Sequence, residues 1–157
     1  MSDSLFQKIA VATDGSATAM RAVDIAIDLA KRYGAELTIL TVSPLEALYV
    51  APSEGWVTPA SPPSDLPFYR QILERDTARA KSAGVQSVEG VCLEGVVVDE
   101  IVGWTEKSPP DLFIIGSRGL SRGKRILLGS VSSAVLQQLK CPVMVVHPAA
   151  TTTTPSG

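Results

Sequence analysis

Short runs of consecutive apolar residues constrain this chain's fold more than any other feature of its sequence. Phe113-Ile114-Ile115 and Val143-Met144-Val145-Val146 have no polar residue at alternate positions. A strand made from either run therefore has no face suited to water. Strands buried on both faces belong to parallel sheets covered by helices above and below. Lys8 to Thr13 and Glu36 to Val42 read as two further strands, and Val85 to Leu93 as a less regular one.

Helical patterns fill the intervals between these runs. Asp14-Gly15-Ser16 ends the first run with a turn that can also cap a helix. The helix that follows is predicted over Ala17 to Tyr33, with Ala22, Ile25, Ala26, Leu29 and Tyr33 at three- and four-residue spacing and Gly34 as its stop. A second helix is predicted over Phe68 to Ala83, with Phe68, Ile72 and Leu73 facing inward and Glu74, Arg75, Asp76, Arg79 and Lys81 facing outward. A third spans Val97 to Lys107, with Val98, Ile101, Val102 and Thr105 on one face, and Pro109-Pro110 stops it. The last runs from Ser130 to Leu139, with Val131, Val135 and Leu139 on one stripe. Five strands alternating with four helices predict an α/β fold, a doubly wound five-stranded parallel sheet, and the strand order expected for it is 3-2-1-4-5.

The chain has 157 residues, enough for one domain and too few for two well-cored ones. That domain is expected to span residues 1–148, with the Thr-rich tail 149–157 disordered. Six prolines between positions 44 and 67 break the rhythm (Pro44, Pro52, Pro59, Pro62, Pro63 and Pro67) and predict a loop or lid. Tyr49 and Trp56 within it could cover a ligand or dock on the surface. A net charge of −2 argues against nucleic-acid and anionic-membrane binding, both of which need a basic surplus. No apolar run is long enough to span a bilayer, and the start of the chain lacks a basic segment followed by an apolar one. A cytoplasmic protein is expected. Cys92 and Cys141 share no C-x-x-C spacing and read as buried structural thiols.

In doubly wound sheets ligands bind beyond the carboxyl ends of the strands, where the strand order reverses. With order 3-2-1-4-5 this crevice lies between strands one and four, which brings Asp14 next to Gly116. The stretch Gly116-Ser117-Arg118-Gly119, nine further residues, then Gly129-Ser130-Val131-Ser132 joins strand four to the last helix. Glycines let backbone approach a ligand closely, a Ser can cap a helix start, and the bare N–H groups there attract an anion. Asp14 has two readings, as a site residue or as a cap for the first helix.

These residues resemble the universal stress protein family, in particular its nucleotide-binding branch. The pattern G-x2-G-x9-G-(S/T) is met by Gly116, Gly119, Gly129 and Ser130. Val11 to Ser16 and Cys141 to Val146 resemble the family's other two signatures. The likeness spans roughly residues 7 to 148 and implies a Rossmann-like fold, ATP binding with Mg²⁺ or Mn²⁺, and a homodimer formed through the last strand (141–147). It implies that Asp14 faces the ribose or the metal-bound phosphates, and that the backbone at Ala12 and Val42 borders the adenine. Gly116, Ser117, Arg118 and Gly119 would wrap the ribose and α-phosphate. Gly129, Ser130, Val131 and Ser132 would hold the outer phosphates, with hydroxyls of Ser130 and Ser132 as added partners. One departure is Gly95-Val96-Val97, where the family often has Gly-x-Pro. Arg118, Arg122, Lys124 and Arg125 make the loop basic, either to meet phosphates or as a solvated surface.

Other motifs fail. A Walker loop would need Gly where Arg118 stands and Ser or Thr where Arg125 stands. Gly119-Leu120-Ser121-Arg122-Gly123 matches a nucleophile elbow, but no acidic residue lies between Ser121 and the sole histidine, His147. No catalytic residue is assigned. The function expected is an ATP-binding regulatory module in the stress response, with an unidentified protein partner. The alternatives are a slow ATPase of the same fold and a nucleotide-free interaction module.

Overall fold

The computed structural model describes residues 3–44, 66–118 and 128–149. Its elements are β1 (Lys8–Ala12), α1 (Ala17–Tyr33), β2 (Glu36–Pro44), α2 (Leu66–Ala83), β3 (Val88–Gly95), α3 (Val97–Lys107), β4 (Leu112–Gly116), α4 (Ser130–Gln138) and β5 (Val143–Val146). All pairings are parallel, as the alternating pattern predicts, and the sheet order is β3-β2-β1-β4-β5, the order expected.

Both faces of the three central strands are dry. Ile9 and Val11 of β1, Leu37 and Ile39 of β2, and Leu112 and Ile114 of β4 pack with Ala22, Val23, Ala26, Ile27 and Ala30 of α1 and with Ala80 of α2. The residues between them, Ala10, Leu40, Val42, Phe113 and Ile115, pack on the other face with Ile101 of α3 and Val135 of α4. Alternate side chains of each strand thus feed two separate cores, which is why the runs contain no polar position. Trp104 packs, half-buried, into the second layer.

The helix ends follow local chemistry. Ser16 caps α1 by accepting the Ala19 N–H (3.2 Å), and Gly34 closes it in the left-handed region at φ 64°. Asp14 is therefore not the cap of α1. Gly129, not a serine, occupies the N-cap of α4, and no side chain caps that helix.

The helical phase of α2 differs from expectation. Tyr69, Ile72, Asp76 and Ala80 face inward, whereas Phe68 is 49% exposed. Asp76, expected outside with its charged neighbours, is fully buried, because it falls on the Tyr69–Ile72 stripe and two arginines neutralise it. β3 begins at Val88 rather than Val85, since Gly84 turns at φ 104° and Val85 N still bonds Ala80 O. β5 begins at Val143, and both β3 and β5 are edges of the described sheet. The thiols of Cys92 and Cys141 are half-buried, and burial pushes both up from the ordinary range. Residues 45–65, 119–127 and 150–157 lie outside the described residues, and with them the loop expectation for Tyr49 and Trp56, Gly119, the basic cluster beyond Arg118 and the tail.

Candidate functional site

Beyond the carboxyl ends of β1, β2 and β4 lies a cavity of about 370 Å³. Sheet topology accounts for its position. β1 pairs with β2 on one side and β4 on the other, so the helices after β1 and β4 go to opposite faces and leave a gap between them. Leu40, Val42, Ile115, Val97, Ile101 and Tyr69 make much of its wall apolar.

The β1 side of the cavity is a turn held by its own side chains. Thr13 Oγ1 accepts the Gly15 N–H (3.2 Å), Asp14 Oδ1 accepts the Ser16 N–H (2.9 Å), and Ser16 Oγ accepts the Ala19 N–H. Gly15 has φ 82°, and a Cβ there would stand 2.7 Å from Ile72 Cδ1. Only glycine combines that backbone with that contact. Asp14 is half-buried and lines the cavity.

Three hydrogen bonds fix the β4 side, two of them to the start of α4 and one to β5. Gly129 N–H donates to Ser117 O (2.6 Å), Ser117 N–H to Val146 O (2.8 Å), and the Ser132 hydroxyl to Gly116 O (2.6 Å). Ser133 N–H is the first α4 amide turned back into the helix, onto Gly129 O. The amides of Ser130, Val131 and Ser132 belong to the uncapped first turn, and all three residues line the cavity. The Ser132 proton is committed to Gly116 O, so the donor that Ser132 presents there is its N–H. Gly116 is pressed against α1, since a Cβ on it would lie 3.0 Å from Thr18 Cγ2.

Nine residues anticipated from sequence come together on this wall: Ala12, Asp14, Val42, Gly116, Arg118, Gly129, Ser130, Val131 and Ser132. Ser117 stands behind it, fully buried, its hydroxyl without a hydrogen-bond partner among the described residues. Sequence reasoning did not single out Thr13, Ala19, Leu40, Pro44, Tyr69, Val97, Ile101 or Ile115. Leu40 was legible as the residue two before Val42 on the same strand face. Tyr69 had no such signal, because the phase of α2 depends on packing. Among the described residues no group of three or more His, Cys, Asp or Glu could hold a metal ion, and no helix is long and apolar enough to cross a membrane.

Fold and crevice together define a doubly wound α/β domain of the kind that holds a ligand at its switch point. The sequence profile described as the universal stress protein family matches residues 5–147. A universal stress protein of Methanocaldococcus jannaschii is 34% identical over 145 residues, covering 92% of this chain and 84% of the relative. Universal stress protein YxiE of Bacillus subtilis is 35% identical over 151 residues, with 91% and 100% covered. Among solved structures, a universal stress protein in complex with cAMP shares 33% identity at a TM-score of 0.66, over 90% of this chain and 97% of that one. The chain belongs to the universal stress protein family.

Proposed function

We propose that the crevice binds an adenine nucleotide, chiefly ATP with Mg²⁺ or Mn²⁺, and that the protein acts as a nucleotide-dependent regulatory module in the stress response. The observation that carries this reading is that one cavity offers an apolar slot beside an open strand edge together with an uncapped helix start.

The slot suits a base. β2 outruns β1: Thr13 N–H to Leu40 O (2.8 Å) is the last bond between them, while β2 continues beside β3 to the pair Pro44↔Gly95. In a ladder the N–H and C=O of every second residue face the same neighbour. Leu40 faces β1, so the peptide groups of Val42 face the crevice. A neighbouring donor and acceptor complement adenine, which offers N1 as acceptor and its amino group as donor. Guanine offers the reverse.

The first turn of α4 suits phosphate. Three successive amides and the positive end of the helix dipole favour an anion there, and Arg118 stands on the same wall. Asp14 is the sole carboxylate on the described wall. One carboxylate fits a Mg²⁺ held mainly by phosphate oxygens and water, with Asp14 as its protein ligand. The ion would neutralise charge between phosphates. A single carboxylate and no histidine on that wall favour holding the nucleotide over turning it over. The 33%-identical relative solved with cAMP supports an adenine ligand. The open edge of β5 supports pairing with a second copy.

Calorimetric titration tests the reading, together with nucleotide analysis of the denatured, freshly purified protein. Mg-ATP is expected to bind at one per chain, and Mg-GTP to bind more weakly by roughly one to two orders of magnitude, the cost of mispaired base-edge groups. Protein that carries no nucleotide and gives no heat with ATP, ADP, AMP or cAMP overturns it.

A further inference from the structure

We infer that Asp76, on α2 and away from the cavity wall, is a positioning residue for the Thr13–Ser16 turn and, through it, for the nucleotide. The affinity part of this inference rests on the reading above, whereas the part concerning the turn does not.

Asp76 is fully buried and accepts four hydrogen bonds. Arg75 Nε (3.1 Å) and an Arg79 guanidinium nitrogen (3.0 Å) reach Oδ1, and a second Arg75 nitrogen (3.3 Å) and Thr13 Oγ1 (3.4 Å) reach Oδ2. Arg79 is anchored in turn by Asp24 of α1. With Arg79 shared with Asp24, two guanidinium groups meet two carboxylates, so the charge of Asp76 is already matched within the α1–α2 pair. The Thr13 bond adds nothing to that neutralisation, yet it sets the direction of a hydroxyl.

That direction matters because a threonine hydroxyl has one proton. Donated to Asp76, the proton leaves the oxygen's lone pairs for the Gly15 N–H, the bond that closes the turn. Asp14, between the two, then accepts the Ser16 N–H. An ordered path therefore runs from arginine to Asp76, to the Thr13 hydroxyl, to the Gly15 amide and to the residue on the cavity wall. Asn at position 76 cannot replace the acid here. Both oxygens receive donors, so one arm of the amide would have to point N–H groups at another donor.

The test pairs amide hydrogen exchange of the free protein with Mg-ATP titration, in Asp76→Asn, Thr13→Val and the double variant. Val23→Ala serves as a control for lost stability, since Val23 is buried in the first core layer and lies away from the cavity. Both single variants are expected to lose protection at residues 13–16 and to weaken Mg-ATP about tenfold, as displaced supporting residues typically do. The double variant should be no weaker than the worse single one, and V23A should leave the affinity unchanged. Thr13→Ser keeps the hydroxyl and should keep the protection at Gly15. Should D76N fail to fold, Asp76→Glu, which keeps the charge but displaces the carboxylate oxygens, takes its place and should likewise lower protection at residues 13–16. Unchanged protection at residues 13–16 in folded D76N or T13V overturns the inference. So does an affinity loss matched by V23A. Loss of protection in a protein that binds no nucleotide would retain the positioning role and refute the nucleotide reading instead.

Discussion

Replacing Gly116 by alanine tests the crevice with the smallest possible change. The new methyl would lie 3.0 Å from Thr18 Cγ2, 3.2 Å from Thr18 C and 3.3 Å from Ala19 N. Two of these three atoms are backbone in the first turn of α1, so a rotamer change cannot relieve the crowding. β4 and the helix start must separate instead. Overpacking of this kind costs about 1–3 kcal/mol. Gly116 has ordinary strand backbone, so alanine also restricts the unfolded chain, which returns about 0.4–1 kcal/mol. The net loss is about 1.3 kcal/mol from the mid-values, close to a tenfold fall in the folding constant. Urea denaturation followed by circular dichroism measures it. Adding Thr18→Ser to G116A removes the nearest contact and should restore only part of the loss, because both backbone contacts remain. Mg-ATP affinity should fall in the same variant, since α1 begins immediately after the Asp14 turn. A denaturation midpoint at or above that of the unchanged protein, with unchanged affinity, would refute both the packing argument and the site it shapes.

Gly103 presents the opposite case: nothing lies within 4 Å of a Cβ placed there, in the middle of α3. Gly103→Ala is therefore expected to stabilise by about 0.5–1 kcal/mol, read as a higher denaturation midpoint; a lower one would contradict it. Ser16→Ala removes the side-chain cap of α1 and should cost about 1 kcal/mol in the same assay, whereas Ser130→Ala, at the first turn of uncapped α4, should cost far less. Burial raises the thiol pKa of both Cys92 and Cys141, at Cys92 partly opposed by Arg70. Fewer thiolates form at a given pH, so iodoacetamide should react more slowly with the folded protein than with urea-unfolded chain at pH 8, and the folded rate should still climb above the free-thiol midpoint of about 8.5. Equal rates in the two states would contradict this.

The architecture was legible in the chain itself because it rests on short-range periodicity. Val143 to Val146 lacks any polar face, Ser16 and Gly34 mark the ends of α1, and Pro109-Pro110 stops α3, and each of these is decided within a few residues. The glycine spacing from Gly116 to Gly129, read with the strand order, likewise placed the crevice between β1 and β4. Tertiary structure alone decided what depends on the phase and depth of packing. Asp76 sits among charged neighbours in sequence, yet the sheet draws its stripe of α2 inward, and only there do Arg75, Arg79 and Thr13 converge on it. Tyr69 reaches the cavity and Phe68 faces outward for the same reason. The Ser132 hydroxyl turns to Gly116 O because the end of β4 and the start of α4, sixteen residues apart, are folded against each other. Periodicity specifies which face of a segment is apolar, whereas the partner on that face is set by segments distant in the chain.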